Sequence, residues 1–322
     1  MSVVSEIANV HLKLYAQAAL DLNAEVRVID PHAAIACSKG AISWRIFGTC
    51  VPINDSVAFQ ISSAKIVANR LLRAGGVPVP HACGFTGVDP ARRFFRSRRH
   101  TVVVKPNRGL GGSGVTLEPC GDDEFAEAFR AAKAVDEVVV IEPFVAGRHY
   151  RVLVLDGRVI AAAERVPPFV IGDGTLTIEE LVAQINEIRR EDDTRSPIRI
   201  DGEVQRCLSA QGLLPAAIPA GGVRIDVRRN ANLTTGGITI DRTDDIHPDT
   251  AATAVRATEI LGLRLGGVDL IAPSIHESIA GTTGVVNEVN GNPGLRIHQY
   301  PAEGTPRPVA TLIQQSILAS VS

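Results

Sequence analysis

Two carboxylates and one amide near the C-terminus stand inside short apolar segments, where charged groups are uncommon. Asp269 lies in segment 266–271, and Glu288 and Asn290 lie in segment 285–290. Both segments have the length and apolar content of buried strands. A carboxylate there is costly without compensation, and two on neighbouring strands would repel each other. Because all three side chains offer hard oxygen ligands, they predict a site for Mg²⁺ bound to nucleotide phosphates.

A strand, a lysine and a glycine-rich loop follow one another between residues 102 and 115. Lys105 comes after three valines, and the loop after it contains Gly109, Gly111, Gly112, Ser113 and Gly114. Glycine lets backbone N–H groups approach phosphate oxygens closely, and the lysine adds a point charge. The loop is not a P-loop, because no Gly-Lys-Ser/Thr closes it. Taken alone, it is equally compatible with a glycine-rich hairpin.

A buried strand over 138–141 leads into a segment that Pro143 interrupts. Glu142 stands at the strand end, and Phe144 and Val145 follow the proline. Such an end leaves backbone donors and acceptors that could pair with an adenine ring. The alternative is an ordinary strand end with a solvated glutamate.

Four arginines stand in or beside apolar strands, namely Arg151, Arg165, Arg228 and Arg296. Arginine in such a place usually has an anionic partner. The partner could be a bound substrate or a structural carboxylate, and the sequence leaves both open. No Gly-x-Ser-x-Gly motif is present, so serine–histidine hydrolysis has no support.

Composition excludes several classes of function. The 322 residues carry a net charge of −2 and only 4% aromatic residues, so neither a basic field nor a base-stacking platform indicates nucleic acid. The five cysteines are scattered without a CxxC pair, which indicates reduced thiols and a cytoplasmic protein. No signal peptide and no apolar run of about 20 residues is present, so we expect no membrane segment.

The elements that must position these residues alternate between helices and hairpins. Helical patterns cover 6–20, 122–134, 178–188 and 250–261, and a further helix is predicted from a cap at Ser62 or Ser63 to residue 74. Asp156-Gly157 predicts a hairpin between strands 151–155 and 158–162. This mixture favours an α+β fold over a purely parallel sheet.

Taken in order, these segments resemble the ATP-grasp superfamily. The order is a lysine-bearing helix, a strand with a lysine and a glycine loop, a strand ending at a glutamate, and a final Asp…Glu-x-Asn. Within the superfamily, the chain is most similar to the ATP-grasp part of cyanophycin synthetase and next to bacterial glutathione synthetases. The stretches that carry the resemblance are 65–80, 105–117, 147–154, 170–181, 230–237, 244–249 and 290–296. Several motifs in one order are more specific than any single motif.

The resemblance implies a mixed α/β ATP-grasp fold with three domains. These are an N-terminal α/β domain (1–76), a central lid domain (77–145) and a C-terminal domain with the metal site (146–322). The implied activity is an ATP-dependent, ADP-forming carboxylate–amine ligase that makes an amide or peptide bond through an acylphosphate, on an amino acid or small peptide. The alternative is an ATP-binding regulatory or scaffold subunit of the same fold that has lost catalysis.

The resemblance also assigns roles to individual residues. Lys65 and Lys105 would contact ATP phosphates beneath loop 109–114, and Glu142 with the backbone of Phe144 and Val145 would hold adenine. The metal ligands would be Asp269, Glu288 and Asn290, for two Mg²⁺ ions, with Mn²⁺ possible. The γ-phosphate and the carboxylate substrate would be faced by Arg151, Arg165, Arg228 and Asn232, with Arg296 nearby.

The chain also departs from the family pattern. His149 stands where an acid usually binds ribose, and Leu110, Gly111 and Ser113 replace the usual Asn, His and Arg of the lid. Segment 191–197 lacks the Arg-Arg-Gly pattern, which puts the acceptor substrate in doubt. Because the chain has neither the added N-terminal domain nor the second ligase domain of cyanophycin synthetase, we expect no polymerisation by this chain alone. We expect a homodimer, the commonest symmetric assembly.

Overall fold

A computed structural model describes residues 2–109, 111–190 and 195–321 of the chain. Within these ranges helices and strands mix in an α+β fold, as predicted. The helices are α1 (Val10–Asp21), α2 (Ser56–Ser63), α3 (Lys65–Ala74), α4 (Val88–Arg96), α5 (Gly121–Lys133), α6 (Ile178–Arg190), α7 (Gly202–Ser209), α8 (Pro248–Ile260), α9 (Arg296–Gln299) and α10 (Val309–Val321).

The strands cover most of the apolar segments that connect these helices. They are β1 (Glu25–Asp30), β2 (Ala34–Lys39), β3 (Ile42–Phe47), β4 (Cys83–Phe85), β5 (Val102–Pro106), β6 (Thr116–Leu117), β7 (Val139–Pro143), β8 (Arg148–Leu155), β9 (Arg158–Val166), β10 (Phe169–Ile171), β11 (Arg224–Asp226), β12 (Ile238–Asp241), β13 (Leu265–Ala272) and β14 (Val285–Asn290). Leu110 and residues 191–194, which belong to the predicted lid and acceptor loop, lie outside the described residues.

The chain divides into two compact units. The first unit contains Met1–Ala162, Arg242–Leu295 and Pro308–Ser322, and the second contains Ala163–Asp241 and Arg296–Arg307. The three domains expected from the sequence, with boundaries after residues 76 and 145, stay a prediction.

In the first unit, the strands β9, β8, β13 and β14 lie side by side in that order. Alternate residues of β8 point to opposite faces. Leu153 and Leu155 pack into a core with α1 and α10, whereas Val152 and Val154 pack into a core with α8. The sheet therefore has a core on each side. The hairpin between β8 and β9 turns at Asp156 and Gly157, both with positive φ, as that dipeptide predicts.

Two further antiparallel sheets belong to the same unit. Strands β1, β2 and β3 form a three-stranded meander, and β4, β7, β5 and β6 form a four-stranded sheet. In the four-stranded sheet, Val102, Val104 and Ile141 pack against α5 on one face. The opposite face carries Lys105 and Glu142, because they alternate with those core residues.

The second unit has a smaller core between helices and a short sheet. Strands β10 and β11 pair, and β12 pairs with the end of β9. The apolar faces of α6 and α7 pack around Ile178, Val204 and Leu208. Among the described residues, no helix combines the length and the apolar character that crossing a membrane requires.

The cap predicted for the lysine-bearing helix is wrong. Ser62 and Ser63 end α2, where both hydroxyls donate to the carbonyl of Phe59, and α3 begins after Ala64. The first turn of α3 is satisfied instead by Asn107, whose side-chain oxygen accepts from the Ile66 amide at 2.9 Å. A cap supplied from about forty residues along the chain leaves no local sequence signal.

Asn54 joins two parts of the chain that lie far apart in sequence. Its Nδ2 donates to the carbonyls of Leu265 and Gly291, both at 2.7 Å. Its Oδ1 accepts from the amides of Arg264 and Leu265 at 2.9 and 3.0 Å. The four hydrogen bonds fix the start of β13 against the end of β14, so this side chain positions both strands.

Replacing Asn54 by alanine is therefore expected to destabilise the first unit. The loss of four hydrogen bonds, with partners left partly buried, should cost about 3 kcal/mol of unfolding free energy, measured by urea denaturation. Gln17→Ala deletes an exposed amide that donates to Asp21 on the same helix, and it should change stability by less than about 0.5 kcal/mol. Equal stabilities of the two variants would show that Asn54 does not tie the strands.

Candidate functional site

A row of three charged residues crosses three neighbouring strands of the first unit. Asp269 on β13 lies directly opposite Arg151 on β8 and directly opposite Glu288 on β14. Residues opposite one another in an antiparallel pair point to the same face of the sheet. The prediction that the two carboxylates stand on neighbouring strands is therefore confirmed.

An irregularity in β14 decides which way Glu288 points. Asp269 pairs with Glu288 while the next residue, Leu270, pairs with Val286, so Asn287 is an extra residue in the ladder. Such a bulge re-aims the side chains on either side of it. Val286 can therefore enter the core with Val289, while Glu288 shares a face with Asp269.

The carboxylate of Asp269 is compensated by two donors. Arg151 donates to it from Nε at 2.5 Å and from Nη2 at 3.0 Å, a bidentate pair. Asn290 donates to Oδ2 from Nδ2 at 3.3 Å. Burial by itself would lower the pKa of Arg151, but the carboxylates of Asp269 and Glu288 outweigh it and the pKa lies above its ordinary value. Arg151 thus stays charged beside both acids.

Lys65 brings a second cation to the row. As the first residue of α3, it places its Nζ 3.2 Å from Oε1 of Glu288 and 3.4 Å from the carbonyl of Gly109. The first turn of a helix has unsatisfied N–H groups and a positive dipole end, which favour anions. Lys65 therefore links a carboxylate of the row to the start of the glycine loop.

Lys105 and Glu142 form a buried ion pair on the four-stranded sheet. The Nζ–Oε1 distance is 2.5 Å, and the two side chains are 7% and 5% exposed. The sequence suggested separate contacts to phosphate and adenine for these residues. In the described geometry each has the other as its partner.

Both lysines and two of the carboxylates described above line one small cleft in the first unit. Its walls include Lys65, Lys105, Glu142 and Glu288, together with Asn287 from the bulge. The free volume of the cleft is about 10 Å³, close to that of a single water molecule. The cleft therefore has little free space in this structure.

The donor set fits a hard divalent cation. Asp269, Glu288 and Asn290 share one face of adjacent strands, and each offers an oxygen. Among the described residues, no group of three or more His, Cys, Asp or Glu side chains is placed to hold a metal ion. Two carboxylates and an amide match a Mg²⁺ that takes its remaining ligands from substrate phosphates and water.

The remaining residues predicted for ATP lie around the same sheets. Loop glycines Gly109, Gly111, Gly112 and Gly114 all have positive φ. A Cβ at Gly114 would lie 3.0 Å from the carbonyl of Ala131, so the loop backbone runs close to α5. Ser113 is exposed, and Phe144, Val145 and His149 are half-buried at or near the ends of β7 and β8.

Four residues predicted to bind the reacting groups belong to the second unit. Arg228 is buried, and its guanidinium donates to Asp201 at 2.6 Å and also to Glu203. Burial alone would raise the pKa of Asp201, but the hydrogen bond and charge of Arg228, together with hydrogen bonds from the backbone amides of Val204 and Glu203, outweigh it, and the pKa lies below its ordinary value. Arg228 thus has structural partners, the alternative that the sequence left open.

The other three residues take separate positions in that unit. Arg165 on β9 pairs in register with Thr239, Asn232 precedes a 3₁₀ turn (Leu233–Thr235), and Arg296 begins α9. Their assignment to one pocket with Arg151 stays a prediction.

Sequence reasoning missed three asparagines that shape the site. Asn54 ties β13 to β14, Asn107 caps α3, and Asn287 forms the bulge. Asn107 lies inside the strand–lysine–glycine motif, so its position was the one available signal. The other two act through pairings between distant segments.

The chain is similar in sequence to known proteins of two kinds. No family model matches the chain. The cyanophycin synthetase of Trichormus variabilis is 35% identical over 278 residues, which cover 85% of this chain and 31% of that protein. A bifunctional glutathione biosynthesis protein of Clostridium perfringens is 33% identical over 254 residues, covering 77% of this chain and 33% of that protein. The chain spans about a third of the length of these curated relatives.

A solved structure carries the same arrangement of elements. The bifunctional glutathione synthetase from Pasteurella multocida aligns with a TM-score of 0.68 and 26% identity, over 95% of this chain and 43% of that chain. The fold and the ordered motifs define an ATP-grasp protein, and the chain belongs to the ATP-grasp superfamily. Its predicted similarity to cyanophycin synthetases and to glutathione synthetases is confirmed.

Proposed function

We propose that this chain is an ATP-dependent carboxylate–amine ligase that forms an amide bond and releases ADP. The observation that carries the proposal is the row of Asp269 and Glu288 on adjacent strands, with Asn290 beside them and Lys65 against Glu288. The ATP-grasp ligases among the relatives support ATP-dependent amide formation.

The reaction has two steps. A carboxylate oxygen of the substrate bonds to the γ-phosphorus of ATP. The bond between that phosphorus and the β,γ-bridging oxygen breaks, which gives an acylphosphate and ADP. An amine nitrogen then bonds to the carbonyl carbon, the carbon–oxygen bond to phosphate breaks, and the nitrogen loses a proton. Such catalysis depends on positioning and charge neutralisation rather than on a covalent enzyme intermediate.

The residues of the row take distinct parts in this proposal. Asp269, Glu288 and Asn290 would hold Mg²⁺, which when bound neutralises charge on phosphate oxygens. Lys65 and Lys105 would bind the phosphates directly. Both lysines lie in the cleft already, each held by a carboxylate that a phosphate would replace as partner.

Binding of ATP requires the cleft to open. Sites for ligands of this size have volumes of several hundred Å³, against about 10 Å³ here. We therefore propose that the contacts of Lys65 with Glu288 and of Lys105 with Glu142 rearrange when the nucleotide enters. His149, Phe144 and Val145 would then contact the ribose and adenine.

The finer parts of the function rest on the family pattern. The substrates would be amino acids or a small peptide, and Arg151, Arg165, Arg228, Arg296 and Asn232 would contact the acid and the transferred phosphoryl group. A pair of Mg²⁺ ions and a homodimer belong to the same proposal.

An ADP-release assay across pairs of acids and amines tests the function, with mass spectrometry of the products. A ligase gives ADP, phosphate and an amide in equal amounts, and only when both substrates are present. ADP that never rises above background across a broad amine screen would contradict the ligase and favour an ATP-binding regulatory subunit.

A further inference from the structure

The second unit contains a cavity of about 330 Å³ that the proposed ligase reaction does not use. Its lining is largely apolar and includes Phe169, Leu181, Ile185 and Ile238. Pockets for small organic ligands begin near this volume and typically combine apolar walls with a few polar groups. The charged group in this lining is Arg189.

Arg189 is a buried cation at the end of α6. The residue is 8% exposed, and its Nη1 donates to the carbonyl of Ser196 at 2.6 Å. Among the residues that the structure describes, no carboxylate forms an ion pair with it. Burial lowers the pKa of Arg189, and the nearby charge of Arg195 acts in the same direction. The guanidinium is therefore held in an unfavourable place for a cation.

The backbone beside Arg189 leaves room for the guanidinium. Gly236 has a φ of +98°, and a Cβ there would lie 3.1 Å from Nη1 of Arg189 and 2.5 Å from Cγ1 of Ile198. A larger residue at this position would displace one of them. A buried arginine on an apolar cavity, with no carboxylate paired to it among the residues that the structure describes, is typical of a site for a carboxylate or phosphate.

We propose that this cavity binds a small organic carboxylate with an apolar body. The carboxylate accepts hydrogen bonds from Arg189, and the apolar body packs against Phe169, Leu181 and Ile185. A carboxylate is favoured over a phosphate because the walls are apolar, so that most of the ligand must be apolar too. The inference is independent of the ligase proposal, since none of the residues that line this cavity is assigned to the ligase reaction.

Calorimetric titration with hexanoate tests the proposal on the full chain. Wild type should bind hexanoate saturably and bind hexylamine much less. Arg189→Met, which keeps an apolar side chain of similar length, should weaken hexanoate binding about tenfold or more. Arg190→Met changes the exposed neighbour on the same helix and should leave binding within about twofold of wild type. Absence of saturable binding to wild type, or equal binding to Arg189→Met, would overturn the proposal.

Thermal unfolding adds a second test that does not need a ligand. If Arg189 lacks an acidic partner, Arg189→Met removes a costly buried charge and should raise the melting temperature by about 2 °C. Glu191, Asp192 and Asp193 lie outside the described residues. A lower melting temperature for Arg189→Met would show that the buried charge of Arg189 is already compensated in the native chain, and it would overturn the premise of an anion site.

Discussion

Replacing Glu288 by glutamine is expected to slow ADP release by about a hundredfold or more while leaving the fold intact. Glutamine has the same shape, but it removes one of the two carboxylate charges that face each other across β13 and β14. The ion pair with Lys65 is also lost. Because the Glu288 side chain is 25% exposed, that loss should change stability by no more than about 1 kcal/mol.

The measurement pairs kinetics with binding. Calorimetry of ADP with and without Mg²⁺ should show a Mg²⁺-dependent gain in affinity for wild type and a smaller gain for Glu288→Gln. Glu277→Gln removes an exposed acid from the same unit and serves as the matched control. Wild-type activity and wild-type Mg²⁺ dependence in Glu288→Gln would remove the metal site from the proposal.

Replacing Lys105 by methionine is expected to destabilise the chain by about 3–5 kcal/mol, because it leaves Glu142 buried without a cation. Glu142→Leu should be comparably costly, since it leaves Lys105 charged and buried. The double variant Lys105→Met/Glu142→Leu replaces the pair with apolar groups and should recover most of that loss. The two side chains are in contact, so the effects of the two single substitutions on the unfolding free energy should not add.

Urea denaturation of the three variants measures these differences as a double-mutant cycle. The double variant then separates stability from function, because it should fold but bind ADP more weakly than wild type. If the loss of unfolding free energy in the double variant equals the sum of the losses in the two single variants, the two charges do not compensate each other. Wild-type ADP affinity in a folded double variant would remove Lys105 and Glu142 from the proposed nucleotide site.

Local sequence signals determined several elements of this fold. The dipeptide Asp156-Gly157 specifies its hairpin because both residues adopt positive φ. The segments that form α5 and α6 each have apolar residues at helical spacing, so the signal for each helix lies within its own residues. The short strands β10 and β11 were missed, because three residues hold too little pattern to separate a strand from a loop.

The sequence by itself determined the chemistry offered by this protein: two carboxylates and an amide on strands, lysines at a helix start and before a glycine loop, and the order of the ATP-grasp motifs. Only the tertiary structure decided that Asn287 bulges so that Glu288 faces Asp269, and that Asn107 rather than Ser62 caps the helix of Lys65. The reason is physical. Side-chain direction in a strand depends on its pairing register, and a cap depends on whichever donor or acceptor folding brings to the helix end. Both are set by segments distant in the chain, so no local window of residues contains them.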